Sequence, residues 1–151
     1  TSTIYSQMAS SLMYEATPLQ ISLDGTTFDE REVEVQISIN SLRNMATSDS
    51  LHLFIAATMD NVEYTGYNGE PIHQDVFLGW INEGFNGELL SIGNEKIAKK
   101  YAWTFPVNWP QNNFETTWSQ VEYDISNIAI VAFIQNKYTK KILQVTGKIS
   151  Y

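Results

Sequence analysis

Apolar and polar residues alternate along most of this chain with the period of a β-strand. Residues 31–42 are the clearest case: Val33, Val35, Ile37 and Ile39 fall on one side, and Glu32, Glu34, Gln36, Ser38 and Asn40 on the other. A period of two buries one face of a strand and leaves the other wet. Leu19, Ile21 and Leu23 alternate likewise and then meet Asp24-Gly25-Thr26-Thr27, which predicts a turn. Leu51, Leu53, Ile55, Ala57 and Met59 mark another long strand. Its second side, His52, Phe54, Ala56 and Thr58, is also nearly free of charge, so deeper burial is expected.

Residues 60–72 read as a polar connection, and Asp75 to Ile81 as an aromatic strand. Asn86-Gly87 predicts a hairpin turn before Leu89-Leu90. Glu95 to Phe105 alternates imperfectly, and Ile128 to Ile134 is apolar throughout, the pattern of a central strand covered on both faces. Gln135 to Lys141 is a polar hairpin connection, after which Leu143, Val145, Ile149 and Tyr151 alternate to the end. Only residues 3–14 suggest a helix, with Ile4, Met8 and Leu12 four apart, and Pro18 ends it. The division expected is a short helical or linker leader over 1–18 and a β-sandwich over 19–151. Seven to eight one-sided strands need an apolar partner surface, which two antiparallel sheets packed face to face supply. An immunoglobulin-like sandwich is the first expectation and a jelly roll the second.

Composition agrees with sheets. Charged residues are only 17%, while 46 of the 151 residues are Ser, Thr, Asn or Gln. No apolar run approaches the ~20 residues of a membrane-spanning helix. The net charge of −8 argues against a nucleic-acid partner, since phosphate affinity rests on Lys and Arg. That charge is uneven: residues 1–95 hold 14 acids and two Arg, residues 96–151 three acids and seven Lys. Acidic early strands paired beside Lys-bearing late ones would account for it. Without cysteine there is no disulfide, thiol nucleophile or thiolate metal site. The opening Thr1-Ser2-Thr3, with no charged-then-apolar leader, is expected of a piece of a longer protein.

The catalytic inventory is empty of known motifs: no HExxH, GxSxG, Walker loop or GxGxxG occurs. His52 falls in mid-strand, where a structural role is expected. His73 lies between Glu70 and Asp75, but a metal site needs three converging ligands, and no metal or cofactor is expected. Asp24, Asp29 and Glu30 lack the spacing of a calcium loop. Trp80, Trp103, Trp109 and Trp118 divide between core plugs and a platform for sugar rings. Trp109 and Trp118, with polar neighbours, join Tyr64 and Tyr67 as candidate ligand-binding residues. A carbohydrate-binding module is therefore the alternative to a non-catalytic interaction domain.

The closing stretch carries a resemblance. Ile130-Val131-Ala132-Phe133-Ile134-Gln135-Asn136-Lys137, then Thr139-Lys140-Lys141-Ile142-Leu143-Gln144-Val145, resembles the final hairpin of the Omp28-related outer membrane proteins of Bacteroidetes. Leu51 to Ala56 followed by Asp60-Asn61-Val62-Glu63-Tyr64, and His73 to Leu78 ahead of Gly87, are similar to earlier strands of that family, so the likeness spans about residues 19–150. The resemblance implies the C-terminal β-sandwich of a periplasmic or cell-surface, outer-membrane-associated protein, and the interaction and carbohydrate readings above lead to the expectation of a protein or glycan partner. Family members commonly carry a thioredoxin-like domain with a CxxC pair ahead of it. The resemblance supplies no catalytic residue.

Overall fold

The computed structural model describes residues 18–29, 31–42, 50–65, 69–105 and 124–149 of the chain, with nothing said of the side chains of 148 and 149. Ten strands follow in order: β1 Leu19–Asp29, β2 Glu32–Ser41, β3 Leu51–Met59, β4 Val62–Glu63, β5 Ile72–His73, β6 Val76–Trp80, β7 Glu88–Leu90, β8 Ile97–Thr104, β9 Ile128–Asn136 and β10 Ile142–Ile149. A three-stranded sheet has the order β1-β2-β8. A five-stranded sheet runs β10-β9-β3-β6, with β7 also on β3, and β4-β5 form a small hairpin. All pairs are antiparallel. The expected leader helix over residues 3–14 lies outside the described residues.

The alternation read from the sequence is what joins the two sheets. Val33, Val35, Ile37 and Ile39 of β2 are buried in one cluster with Leu51, Leu53, Ile55 and Met59 of β3 and Ile128, Ile130 and Ile134 of β9. On the outside of the three-stranded sheet, Glu32, Glu34 and Gln36 are exposed. There the Ser38 hydroxyl donates to Asp24 over 3.0 Å and lies 3.0 Å from the Ser22 hydroxyl. That hydroxyl, helped by the Lys96 charge, holds the Asp24 carboxyl below the usual carboxylate range. Ion pairs from Lys96 to Asp24, Lys99 to Glu88 and Lys100 to Glu34 each join an early acid to a late lysine, as the charge pattern suggested.

Two expectations are corrected. Asp24-Gly25-Thr26-Thr27 is no turn: β1 continues to Asp29 through a register shift between Leu23 and Gly25. The β-favouring threonines and Phe28, which packs on the core, keep this stretch paired with β2. Asn86-Gly87 does not join paired strands either. β6 and β7 lie end to end along one edge of β3, opposite Ala56–Met59 and Leu51–Leu53 respectively.

The edges of the sheets meet at a polar seam. Lys99 of β8 stands opposite Ile37 and Glu88 of β7 opposite Leu53, so both occupy inward-facing register positions. Lys99 Nζ and the Tyr101 hydroxyl both donate to the Glu88 carboxylate. Burial pushes that carboxyl up, but the two hydrogen bonds and the ammonium charge outweigh it and leave it below its ordinary value. Burial, then the Glu88 bond and charge, raise the Tyr101 hydroxyl above its ordinary value of 10.

A depressed carboxyl contributes stability above its unfolded value of 4.5 and loses it as pH falls through the folded value. A raised phenol loses its contribution as pH climbs above 10. Glu88→Gln should therefore cost about 1–2 kcal/mol at neutral pH. The difference from the parent should shrink as acid protonates Glu88, read as urea midpoints between pH 3 and 7. A pH-independent difference would mean that the carboxylate's charge contributes nothing at this seam.

Candidate functional site

The two outer faces of the sandwich are unlike. Residues opposite one another in an antiparallel register share a face. On the outside of the five-stranded sheet this places Leu89, His52, Gln135 and Ile142 in one row. Phe54, Phe133 and Val145 form the next row, then Trp80, Ala56 and Val131, then Phe77, Thr58 and Ala129. No acid stands in these rows. Phe85 is 88% exposed, Leu89 61%, Val145 58%, Ile142 53% and Phe77 47%. These side chains make one contiguous apolar face, larger than the singly scattered apolar residues of an ordinary protein surface.

Aromatic rings organise its centre. Phe54 and Phe133 are stacked at 4.9 Å between centroids, and Trp80 meets Phe54 at 5.6 Å and Phe77 at 5.1 Å. Phe85 stands edge-on to Trp80 at 6.5 Å. The buried Trp80 indole N–H finds no acceptor among the described residues.

Phe85 reaches this face because the edge strand is interrupted. After Ile81, whose amide still donates to the Ile55 carbonyl at 2.8 Å, residues 82–87 leave the ladder and form a short 3-10 turn over Gly84–Asn86. β3 would lose its partners there, but Asn82 replaces them. Its Oδ1 accepts from the Ile55 amide at 3.0 Å and its Nδ2 donates to the Leu53 carbonyl at 2.8 Å. His52 ties down the far end: Nδ1 donates to the Asn86 carbonyl at 2.8 Å, with the Gly87 carbonyl at 3.3 Å. Its Nε2 lies 3.3 Å from the Ser50 hydroxyl. Gly87 lets the Phe54 ring lie against the backbone, since a Cβ there would sit 2.6–2.8 Å from three ring atoms.

Beside the rings is a pocket of about 330 Å³, lined by Phe54, Trp80, Phe85 and Phe133 with His52 and Asn86. Its remaining lining is Gln135, Lys137, Lys140 and Ile142 from the β9–β10 hairpin. Asn136 shapes that hairpin, its Oδ1 accepting from the amides of Tyr138 at 3.0 Å and Thr139 at 2.9 Å. Lys140 takes a left-handed backbone at φ 62°, and its carbonyl accepts from Gln135 Nε2 at 2.9 Å.

Of the residues singled out from sequence, Trp109, Trp118 and Tyr67 lie outside the described residues. Tyr64 sits beside the β4–β5 hairpin, its carbonyl accepting from His73 Nε2 at 2.8 Å, and does not line the aromatic pocket. Trp103 stands opposite Val33 on the inward face of β8 and packs over Gly79. No group of three or more metal-capable side chains occurs among the described residues. The pocket is not legible in the sequence pattern because the second faces of β3 and β9 have the composition of covered ones. The signal present there, Phe54, Phe77, Phe133 and Val145, fits either case.

No protein-family model and no curated protein sequence matches the chain. Solved structures do. A domain of the outer membrane lipoprotein Omp28 from Porphyromonas gingivalis superposes with a TM-score of 0.59 at 16% identity, over 87% of this chain and 94% of that one. The chain has the fold of that lipoprotein domain. HBP35 of Porphyromonas gingivalis matches at a TM-score of 0.71 and 14% identity, over 97% of this chain. The chain spans 45% of the length of HBP35. The family resemblance of the closing hairpin and the fold therefore point to the same group of proteins. Among the described residues, no helix is long and apolar enough to cross a membrane.

Proposed function

We propose that this domain is a non-catalytic interaction module of an exported, cell-envelope protein, and that it docks its partner on the outer face of the five-stranded sheet. The observation that carries the reading is the contrast between the two outer faces. One is lined by Glu32, Glu34 and Gln36, while the other exposes Phe77, Phe85, Leu89, Ile142 and Val145 around a stacked aromatic centre. Apolar exposure on this scale is costly in water and is relieved by association. Aromatic anchors in a pocket are also what dominates the energetics of protein interfaces. The likeness to an outer membrane lipoprotein domain supports the envelope setting.

A photo-crosslinking residue at position 85, in the protein carried by its native cells, should yield a discrete adduct. The same residue at position 34, on the polar face, should yield none. Equal labelling from both positions, or none from position 85, would remove the outer aromatic face as the docking surface.

A further inference from the structure

The pocket's charge identifies its occupant more narrowly, on the reading that this outer face is where partners dock. We infer that the pocket receives a bulky apolar side chain from a partner polypeptide whose flanking residues are acidic. The chain carries a net charge of −8, yet among the described residues the charged side chains lining the pocket are Lys137 and Lys140 alone. Both are exposed, and neither belongs to the ion pairs that Lys96, Lys99 and Lys100 make elsewhere. The acids of the adjoining turn, Glu83 and Glu88, both act on Tyr101 at the seam, so the lysine rim sets the charge that the pocket mouth itself presents and favours carboxylates.

Hydrogen-bonding capacity argues against a sugar. His52 is engaged through both ring nitrogens, and the Gln135 amide donates to the Lys140 carbonyl. Trp80 Nε1 and the two lysines can still donate, but the Phe54, Phe85 and Phe133 walls offer a pyranose's hydroxyl protons no acceptor, which is costly. An apolar side chain asks for no such partners. The volume of about 330 Å³ suits one large side chain, and the apolar surface continues past the pocket over Leu89, Phe77 and Val145. A polypeptide can follow that continuation, whereas a single ring would leave it bare. A bilayer would meet the whole acidic molecule rather than its basic rim.

The test uses three short peptides titrated into the 15N-labelled 151-residue chain: Asp-Glu-Phe-Glu-Asp, Asp-Glu-Ala-Glu-Asp and Lys-Lys-Phe-Lys-Lys. The acidic Phe peptide should bind at least 10-fold more tightly than either other and shift the resonances of Phe54, Trp80 and Phe133. In Lys137→Glu/Lys140→Glu, two exposed substitutions that leave the core untouched, the lysine-flanked peptide should become the tighter ligand. Equal affinity of the two Phe peptides, with shifts at the same residues, would overturn the charge selection and leave the docking face standing. Binding of the Ala peptide as tightly as the Phe peptide would overturn the anchor. Absence of binding by every peptide would overturn the polypeptide assignment. Cellohexaose shifting the pocket resonances, or self-association of the chain that Phe85→Ser abolishes, would reassign the pocket to a glycan or to a second copy.

Discussion

Gly87→Ala is expected to destabilise the domain by about 2–6 kcal/mol and to break up the aromatic centre of the outer face. Two independent costs add there. The backbone at φ 63°, ψ 164° lies in a region open essentially to glycine alone, worth about 1–3 kcal/mol of strain for any other residue. The new methyl would also stand 2.6–2.8 Å from three atoms of the Phe54 ring, and overpacking of this kind costs about 1–3 kcal/mol more. Phe54 cannot yield freely, because it is stacked on Phe133 on one side and in contact with Trp80 on the other. Gly84→Ala is the control. It shares a positive φ of 73° but meets nothing within 4 Å, so only the backbone strain should register. Thermal melts and near-ultraviolet circular dichroism would separate the two variants. In a double-mutant cycle with Phe54→Ala, the Gly87 cost should fall to that of the strain alone. A Gly87→Ala melt matching that of Gly84→Ala would show that the ring does not rest on this backbone.

Asn82→Ala should cost about 2–4 kcal/mol, which lowers the melting temperature by roughly 6–12 °C for a chain of this size. The side chain does the work of a missing strand, so its removal orphans the Ile55 amide and the Leu53 carbonyl together. Each buried group left without a partner costs about 1–3 kcal/mol. Asn82→Asp makes a sharper test. The introduced carboxylate can still accept from Ile55, but its second oxygen faces the Leu53 carbonyl, lone pair against lone pair. That repulsion raises its folded pKa above the unfolded value of about 3.9. A raised carboxyl is relatively more stable once protonated, so the deficit against the parent should narrow as pH falls below neutrality. A deficit constant from pH 7 to pH 4 would mean that Asn82 does not bridge the interrupted ladder.

Much of this molecule was legible in its pattern. The alternation of Val33, Val35, Ile37 and Ile39 gave β2 its buried face, because a period of two leaves only one arrangement that hides all four. The acid-rich first part and the lysine-rich end likewise pointed to the pairs that Glu34 and Asp24 form with Lys100 and Lys96. Local turn signals were less trustworthy. Asp24-Gly25 has the composition of a turn, yet pairing with β2 on both sides of it turned the same residues into a bulge. Asn86-Gly87 has the composition of a hairpin, yet the residues on either side pair with β3 instead of with each other. In both places a long-range ladder overrode a dipeptide preference.

The sequence by itself determined an all-β chain, one wet and one buried face for β2, and the absence of thiol chemistry. These follow from residue types and a two-residue period, which need no knowledge of neighbours. Only the tertiary structure decided which faces stay uncovered. Phe54 and Phe133 lie 79 positions apart in the chain and become stacking partners solely because β3 and β9 pair in one register. Phe85 joins them through an interrupted edge strand, which local composition did not show, and Lys137 and Lys140 through the β9–β10 hairpin, which it did. An apolar strand face looks the same in sequence whether another layer covers it or not. Whether it becomes core or docking surface depends on what the rest of the chain packs against it.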